Sequence, residues 1–332
     1  MGTIAELLAT RPTDAQVMAA AAQCVRANTP PVGIIGLSDP NALDTRVIDL
    51  CADAGAEMVR VEFHWSQIQP VPGGPYQWAP YDAMVGKCIE RGLGILGIAT
   101  YLPNWLGTNW AVIDAQWQLF FQALVARYAP FGVHMWEVFN EPNLTGYGWL
   151  PKTSDVPEIH AEDYAGAYTL LLARANVILR ATDPQGMIVL GGLASDNHGG
   201  VPFEPYMTEV YRLGGRNCFD VFAFHPYGYQ NNFAAARARV DAFLSTVSDT
   251  PPVWFNEYGW TDWRRMNMNR YPTAATNPMM AVFRDRVHCD ALFWFSLKDY
   301  SSKWLAPTFG LCDYNLKKRP GFTTFKTLAG TA

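Results

Sequence analysis

The sequence predicts an α/β chain folded as a single (β/α)8 barrel, and three observations lead there. Short apolar runs rich in β-branched and aromatic residues recur along all 332 residues. Amphipathic helical stretches separate them, and the proline- and aromatic-rich stretches follow strand runs. An open doubly wound sheet is the alternative use of the same alternation.

The strand runs cover residues 32–37, 58–63, 95–100, 134–139, 187–193, 221–225, 253–256 and 292–296. Helical spacing of apolar residues predicts helices over 44–54, 81–91, 114–128, 161–181 and 234–247. Strands alternating with crossover helices imply a parallel sheet. The stretches 70–80, 142–157, 259–272 and 300–310 then become loops at the C-terminal face, where barrel enzymes carry their sites. The Ala-rich stretch 17–25 sits behind Asp14 without a basic lead or small-residue cleavage site, so it reads as a capping helix within an N-terminal segment 1–31. No linker or low-complexity stretch divides the chain, so 1–332 is expected to be one catalytic domain.

Composition excludes several functions. With 49% hydrophobic and 17% charged residues the chain can bury a large core. A net charge of −5 with no Lys/Arg cluster argues against a nucleic-acid partner, and no apolar run is long enough to span a bilayer. The six cysteines and six histidines show no metal-ligand spacing, so neither a metal nor another cofactor is expected. The cysteines read as buried thiols, and a monomer is the simplest assembly. The compartment is left open.

Two strand runs end in glutamate: Trp136-Glu137-Val138-Phe139-Asn140-Glu141-Pro142 and Val253-Trp254-Phe255-Asn256-Glu257-Tyr258. A carboxylate beside an apolar strand is costly unless paired. A solvated turn would account for Glu141 alone and an ion pair for Glu257 alone. Together, from strands facing each other across a barrel, they suit the acid/base and the nucleophile of glycosidic bond cleavage. Asn140 would donate to a sugar hydroxyl.

Arg60 shares a strand face with Glu62 and His64. It is positioned either to keep Glu257 ionised or to pair with Glu62 or Glu137, or both. His225 and Tyr227, two residues apart near a strand end, suit hydrogen bonds to the two glutamates. Trp294 offers a floor for a sugar's apolar face, with core packing as the alternative. Trp65, Trp105 and Trp260 lie in or beside predicted loops, as do Trp110, Trp149, Trp263 and Trp304. There they would stack sugars or pin loops together.

The run Trp136 to Leu144, the helix bearing Tyr164, Val189-Leu190-Gly191-Gly192, and Phe309-Gly310-Leu311-Cys312-Asp313 with Lys318-Arg319-Pro320-Gly321 resemble glycoside hydrolase clan A, most closely family 39 and related family 5-type enzymes. The resemblance covers nearly the whole chain. It implies a (β/α)8 barrel and a retaining mechanism with Glu141 as acid/base, Glu257 as nucleophile and Asn140 on the sugar 2-hydroxyl. Arg60, His225, Tyr227 and Trp294 would take supporting roles. Two departures stand out: Ala99-Thr100-Tyr101-Leu102-Pro103-Asn104-Trp105 lacks the third-strand histidine of family 5, and the chain has no room for the β-sandwich common in family 39. Its compact form is similar to single-domain bacterial hydrolases of exopolysaccharide.

The expected partner is an oligo- or polysaccharide, cleaved by double displacement. A transglycosylase, or a barrel that binds carbohydrate without catalysis, would use many of the same residues. A metal-dependent hydrolase lacks a ligand frame. An aldolase using Lys298 lacks the phosphate-binding glycine loop.

Overall fold

The computed structural model describes residues 9–144, 161–195, 201–229, 232–259, 283–299 and 309–330, without the side chains of 161–163. Among these residues nine strands form one sheet in the order β5-β4-β3-β2-β1-β9-β8-β7-β6. They are β1 (Ile34–Ser38), β2 (Met58–His64), β3 (Gly94–Thr100), β4 (Met135–Val138), β5 (Met187–Leu190), β6 (Leu193–Ala194), β7 (Phe222–His225), β8 (Val253–Tyr258) and β9 (Ala291–Phe295). Every pairing between them is parallel.

β5 pairs with β4, and β6 pairs with β7. A parallel bridge between Val189 and Val221 joins the remaining edges. β5 and β6 are thus halves of one stave interrupted at Gly191-Gly192, and the nine strands make eight staves. This is a (β/α)8 barrel, and the open-sheet alternative is excluded by that closure.

Alternation along the strands sorts side chains into two layers. A small buried cluster of Met58, Leu96, Val189, Val221, Trp254 and Phe293, with Ala223 and Ala291, draws on staves all round the ring and fills the barrel interior. The larger cluster packs the opposite strand faces against the helices. Gly36 and Gly97 make room for large neighbours. A Cβ on Gly36 would lie 2.4 Å from the Phe293 ring, and one on Gly97 would lie 2.7 Å from the Trp136 ring.

Helices Thr45–Asp53, Ala79–Glu90, Trp110–Tyr128, Ala161–Thr182 and Phe233–Thr246 lie where periodicity predicts them, within a few residues. Phe203–Arg212 and Pro320–Ala329 are further helices. The N-terminal helix is Asp14–Ala21, earlier than the predicted 17–25, because Thr13 and Gln16 form a capping box that starts it there. After it, Arg26 holds the chain to the N-terminal rim: Nε donates to the Phe219 carbonyl at 2.8 Å, and two guanidinium nitrogens reach Asp249 at 2.7 and 2.6 Å. The Cys218 thiol meets Cys24 Sγ in the same seam. No helix among the described residues is long and apolar enough to cross a membrane.

Candidate active site

The barrel changes character one layer above its apolar plug. On β2 the inward series runs Met58, Arg60, Glu62, His64. Arg60 is buried, and all three of its terminal nitrogens are engaged. Nε and Nη2 donate to Glu137 at 2.7 and 2.8 Å; Nη1 donates to Glu257 at 2.8 Å and to Ser38 Oγ at 3.0 Å; Nη2 also reaches Asn140 Oδ1 at 2.6 Å. Arg60 therefore pairs with Glu137 and reaches Glu257 in one network. Burial works against its charge most strongly, yet the carboxylates of Glu137 and Glu257 keep the guanidinium above its ordinary value.

Glu137 is fully buried inside this network. It also accepts from the Gly192 backbone at 2.9 Å and from Asn256 Nδ2 at 2.8 Å. Four donors compensate a charge that would otherwise be prohibitive in this layer. Glu137 thereby fixes Arg60 from below, and Arg60 in turn addresses Glu257 and Asn140 above.

Glu257 reaches the mouth through an irregularity. Phe255 pairs with Leu292 and Tyr258 with Trp294, so three steps along β8 match two along β9. Strict alternation would turn Glu257 outward with Phe255; the bulge lets Asn256 and Glu257 both face inward. Besides Arg60, Glu257 accepts from the Tyr227 hydroxyl at 3.1 Å. Burial raises its pKa; His225, Arg60 and the Tyr227 hydrogen bond oppose the rise, and the nearby charge of Glu141 adds to it.

Glu141 follows β4, with Phe139 and Glu141 both in the left-handed backbone region at φ 60° and 45°. These two turns re-aim the chain after Val138. The Glu141 backbone N–H donates to the Gly192 carbonyl at 3.0 Å. Its carboxyl is 6% exposed as a residue and lies 2.9 Å from His225 Nδ1. His225 fits only because residue 192 is glycine. A Cβ there would lie 2.0 Å from His225 Nε2 and 2.8 Å from Asn256 Oδ1.

The structure thus gathers Arg60, Asn140, Glu141, His225, Tyr227 and Glu257 at the C-terminal mouth. Among the described residues it does not do so for Trp65, Trp110 or Trp294. Trp294 is 1% exposed and packs edge-on to Tyr258 in the outer layer, because alternation on β9 points Phe293 and Phe295 inward. The partly exposed Phe295, whose ring meets Phe309 at 5.3 Å, is the aromatic side chain that β9 turns toward the mouth.

Trp65 is likewise not a sugar platform. It is fully buried, stacked on Phe120 at 4.8 Å, with its indole N–H on Gln69. β2 ends at His64, and the helical turn Trp65–Ile68 carries Trp65 into the helix layer. Half-buried Trp105 donates to the Gln69 carbonyl at 2.8 Å and pins that loop. Trp110 is buried in its helix. Trp260 lies outside the described residues, with Trp149, Trp263 and Trp304. Lys298 ion-pairs with Asp44 at 3.2 Å.

Sequence reasoning missed the structural parts of the site. Asn256 and Gly192 stood inside quoted motifs without a role assigned to them, because their roles exist only across the barrel. Glu137 appeared only as a possible partner for Arg60. Among the described residues no three or more His, Cys, Asp and Glu side chains gather as metal ligands would.

A parallel eight-stave barrel with framed carboxylates and a buried arginine at its C-terminal mouth defines a TIM-barrel glycoside hydrolase. The chain belongs to the Cellulase family, glycosyl hydrolase family 5, which it matches over residues 25–299. No curated protein matches the sequence. Similar solved structures include a family 39 glycoside hydrolase from Bacteroides cellulosilyticus WH2, at 15% identity and TM-score 0.62 over 93% of this chain and 64% of that one. A monomeric beta-xylosidase from Caulobacter crescentus CB15 is 17% identical with TM-score 0.67 over 91% and 69%. Virulence factor SghA from Agrobacterium tumefaciens is 15% identical with TM-score 0.66 over 94% and 99%. At such identities these likenesses speak to the fold.

Proposed function

We propose that this chain is a retaining glycosidase acting on a β-linked oligo- or polysaccharide by double displacement, with Glu257 as nucleophile and Glu141 as acid/base. The observation that carries the assignment is the asymmetry of partners. Glu257 receives a guanidinium and a phenol, both of which stabilise an anion, at 2.8 and 3.1 Å. Glu141 receives one imidazole nitrogen.

In the first half-reaction Glu257 attacks the anomeric carbon while Glu141 passes its proton to the leaving oxygen. The Glu141 carboxylate left by that proton transfer then serves as base toward water, which displaces Glu257 from the sugar in the second half. Arg60 accepts no proton in this scheme. It holds Asn140 by Oδ1, which leaves the Asn140 amide N–H groups to meet a sugar hydroxyl. The β-linkage is supported by structural neighbours, among them beta-xylosidases and an exo-beta-1,4-mannosidase. A monomeric neighbour supports a monomer here too.

The test is a panel of activated aryl glycosides with NMR of the first-formed sugar. Retention at the anomeric carbon and near-complete loss of turnover in Glu257→Gln are expected. Full activity of Glu257→Gln, or an inverted product, would overturn the proposal.

A further inference from the structure

We propose that Glu62, braced by His64 on the inner face of β2, reads a sugar hydroxyl beside the catalytic pair and restricts that sugar to an uncharged one. The inference rests on the glycosidase reading above and names its substrate class. Glu62 lies two residues beyond Arg60 on the same strand face, about 6.6 Å further toward the open end at a rise of ~3.3 Å per residue. Arg60 holds Glu257 at its own level. The next inward position is therefore the level at which a sugar over Glu257 presents its ring hydroxyls.

The cluster is built to aim that carboxylate. Tyr81 donates its hydroxyl to Gln67 Oε1 at 3.3 Å, which turns Gln67 Nε2 toward His64 Nδ1 at 3.1 Å. Nδ1 must then accept, so the ring proton sits on Nε2 and is donated to Glu62 Oε2 at 2.6 Å. The Tyr101 ring lies 4.2 Å from the imidazole, and its carbonyl accepts from Ser66 N–H at 2.9 Å, which ties the ends of β2 and β3 together. Burial raises the Tyr101 phenol, and the charges of Glu62 and Glu257 raise it further, so all three groups share one field.

The Glu62 side chain keeps 16% exposure, and the imidazole occupies Oε2. An anionic acceptor at this place takes O–H donors. It repels a carboxylate or sulfate, and the ionised nucleophile Glu257 adds to that repulsion. In the double displacement neither Glu62 nor His64 has a proton to move, so recognition is the role left to them.

The experiment uses the intact protein with aryl glycosides of neutral sugars, the aryl glucuronide, and monodeoxy analogues of the neutral glycoside cleaved fastest. The expected wild-type result is turnover of a neutral glycoside, none of the uronide, and a loss of kcat/KM of about tenfold or more for one monodeoxy analogue. In Glu62→Ala that analogue and its parent should be cleaved alike, and Glu62→Gln should lie between. Equal discrimination among deoxy analogues in wild type and variants, or efficient cleavage of the uronide by the wild type, overturns this inference while the glycosidase assignment stands. A wild type that turns over no glycoside overturns both. Glu62→Gln keeps the shape of the side chain, so the comparison with wild type still reads the Glu62 contact if Glu62→Ala fails to fold.

Discussion

Tyr227 makes a contact whose removal tests the electrostatics of the nucleophile directly. Its hydroxyl is one of two donors on Glu257, and hydrogen bonds to charged groups contribute about 1.5–3 kcal/mol. Tyr227→Phe should therefore lower kcat/KM by about 10- to 100-fold. The acid limb carries a second reading of the same contact. Burial already holds the Glu257 pKa above its ordinary value, so activity should fail on acidification at a pH above the usual carboxylate range, as Glu257 takes up a proton. Losing the Tyr227 donor removes an influence that lowers this pKa, so the limb in Tyr227→Phe should move to higher pH. A kcat/KM profile in which the limb stays put or moves down would contradict the assignment. Glu137 tests the layer beneath. Glu137→Ala leaves Arg60 buried with one carboxylate fewer and should cost about 3–5 kcal/mol in denaturant unfolding.

The interrupted fifth stave and the bulged β8 decide how the site is assembled. Gly192, between β5 and β6, gives its carbonyl to Glu141, its N–H to Glu137, and the space over its Cα to His225. Gly192→Ala would force the imidazole away from Glu141. We expect a loss of kcat/KM of about 100-fold, the effect of a misplacement of ~1 Å, alongside an overpacking cost of about 1–3 kcal/mol. Kinetics and urea unfolding on one preparation separate the two. A variant with ordinary activity would show that His225 is free to move without consequence. The two misplaced tryptophans teach the same lesson. Trp65 and Trp294 were read from their neighbourhood in sequence, whereas a chain turn after His64 and the parity of β9 send both into the outer layer.

At the level of the closed barrel, the β1/β9 seam carries a pH-sensitive joint. Asp39 follows β1 and accepts from the Lys298 backbone at 2.7 Å and the Asn41 backbone at 2.7 Å. Burial lifts its pKa to about 6 despite those hydrogen bonds. The folded value lies above the unfolded one, so this group favours folding fully below about pH 3.9, and the contribution is lost as pH rises through about 6. Wild-type stability should fall relative to Asp39→Asn across that window when both are unfolded in urea at a series of pH values. Parallel curves would exclude the joint.

The order of strands and helices was legible in the sequence because periodicity is local: a half-buried strand or helix writes its burial pattern into neighbouring residues. The two glutamates were legible for a related reason, since a carboxylate at the end of an apolar strand is unusual enough to demand a use. What only the closed barrel decided is which side chains meet. Glu137 became the base of the site, Glu257 turned inward at a bulge, and Phe295 instead of Trp294 faced the mouth. Each outcome depends on register between staves that are distant in the chain. A one-residue irregularity reverses the direction of a side chain without altering the composition of its strand.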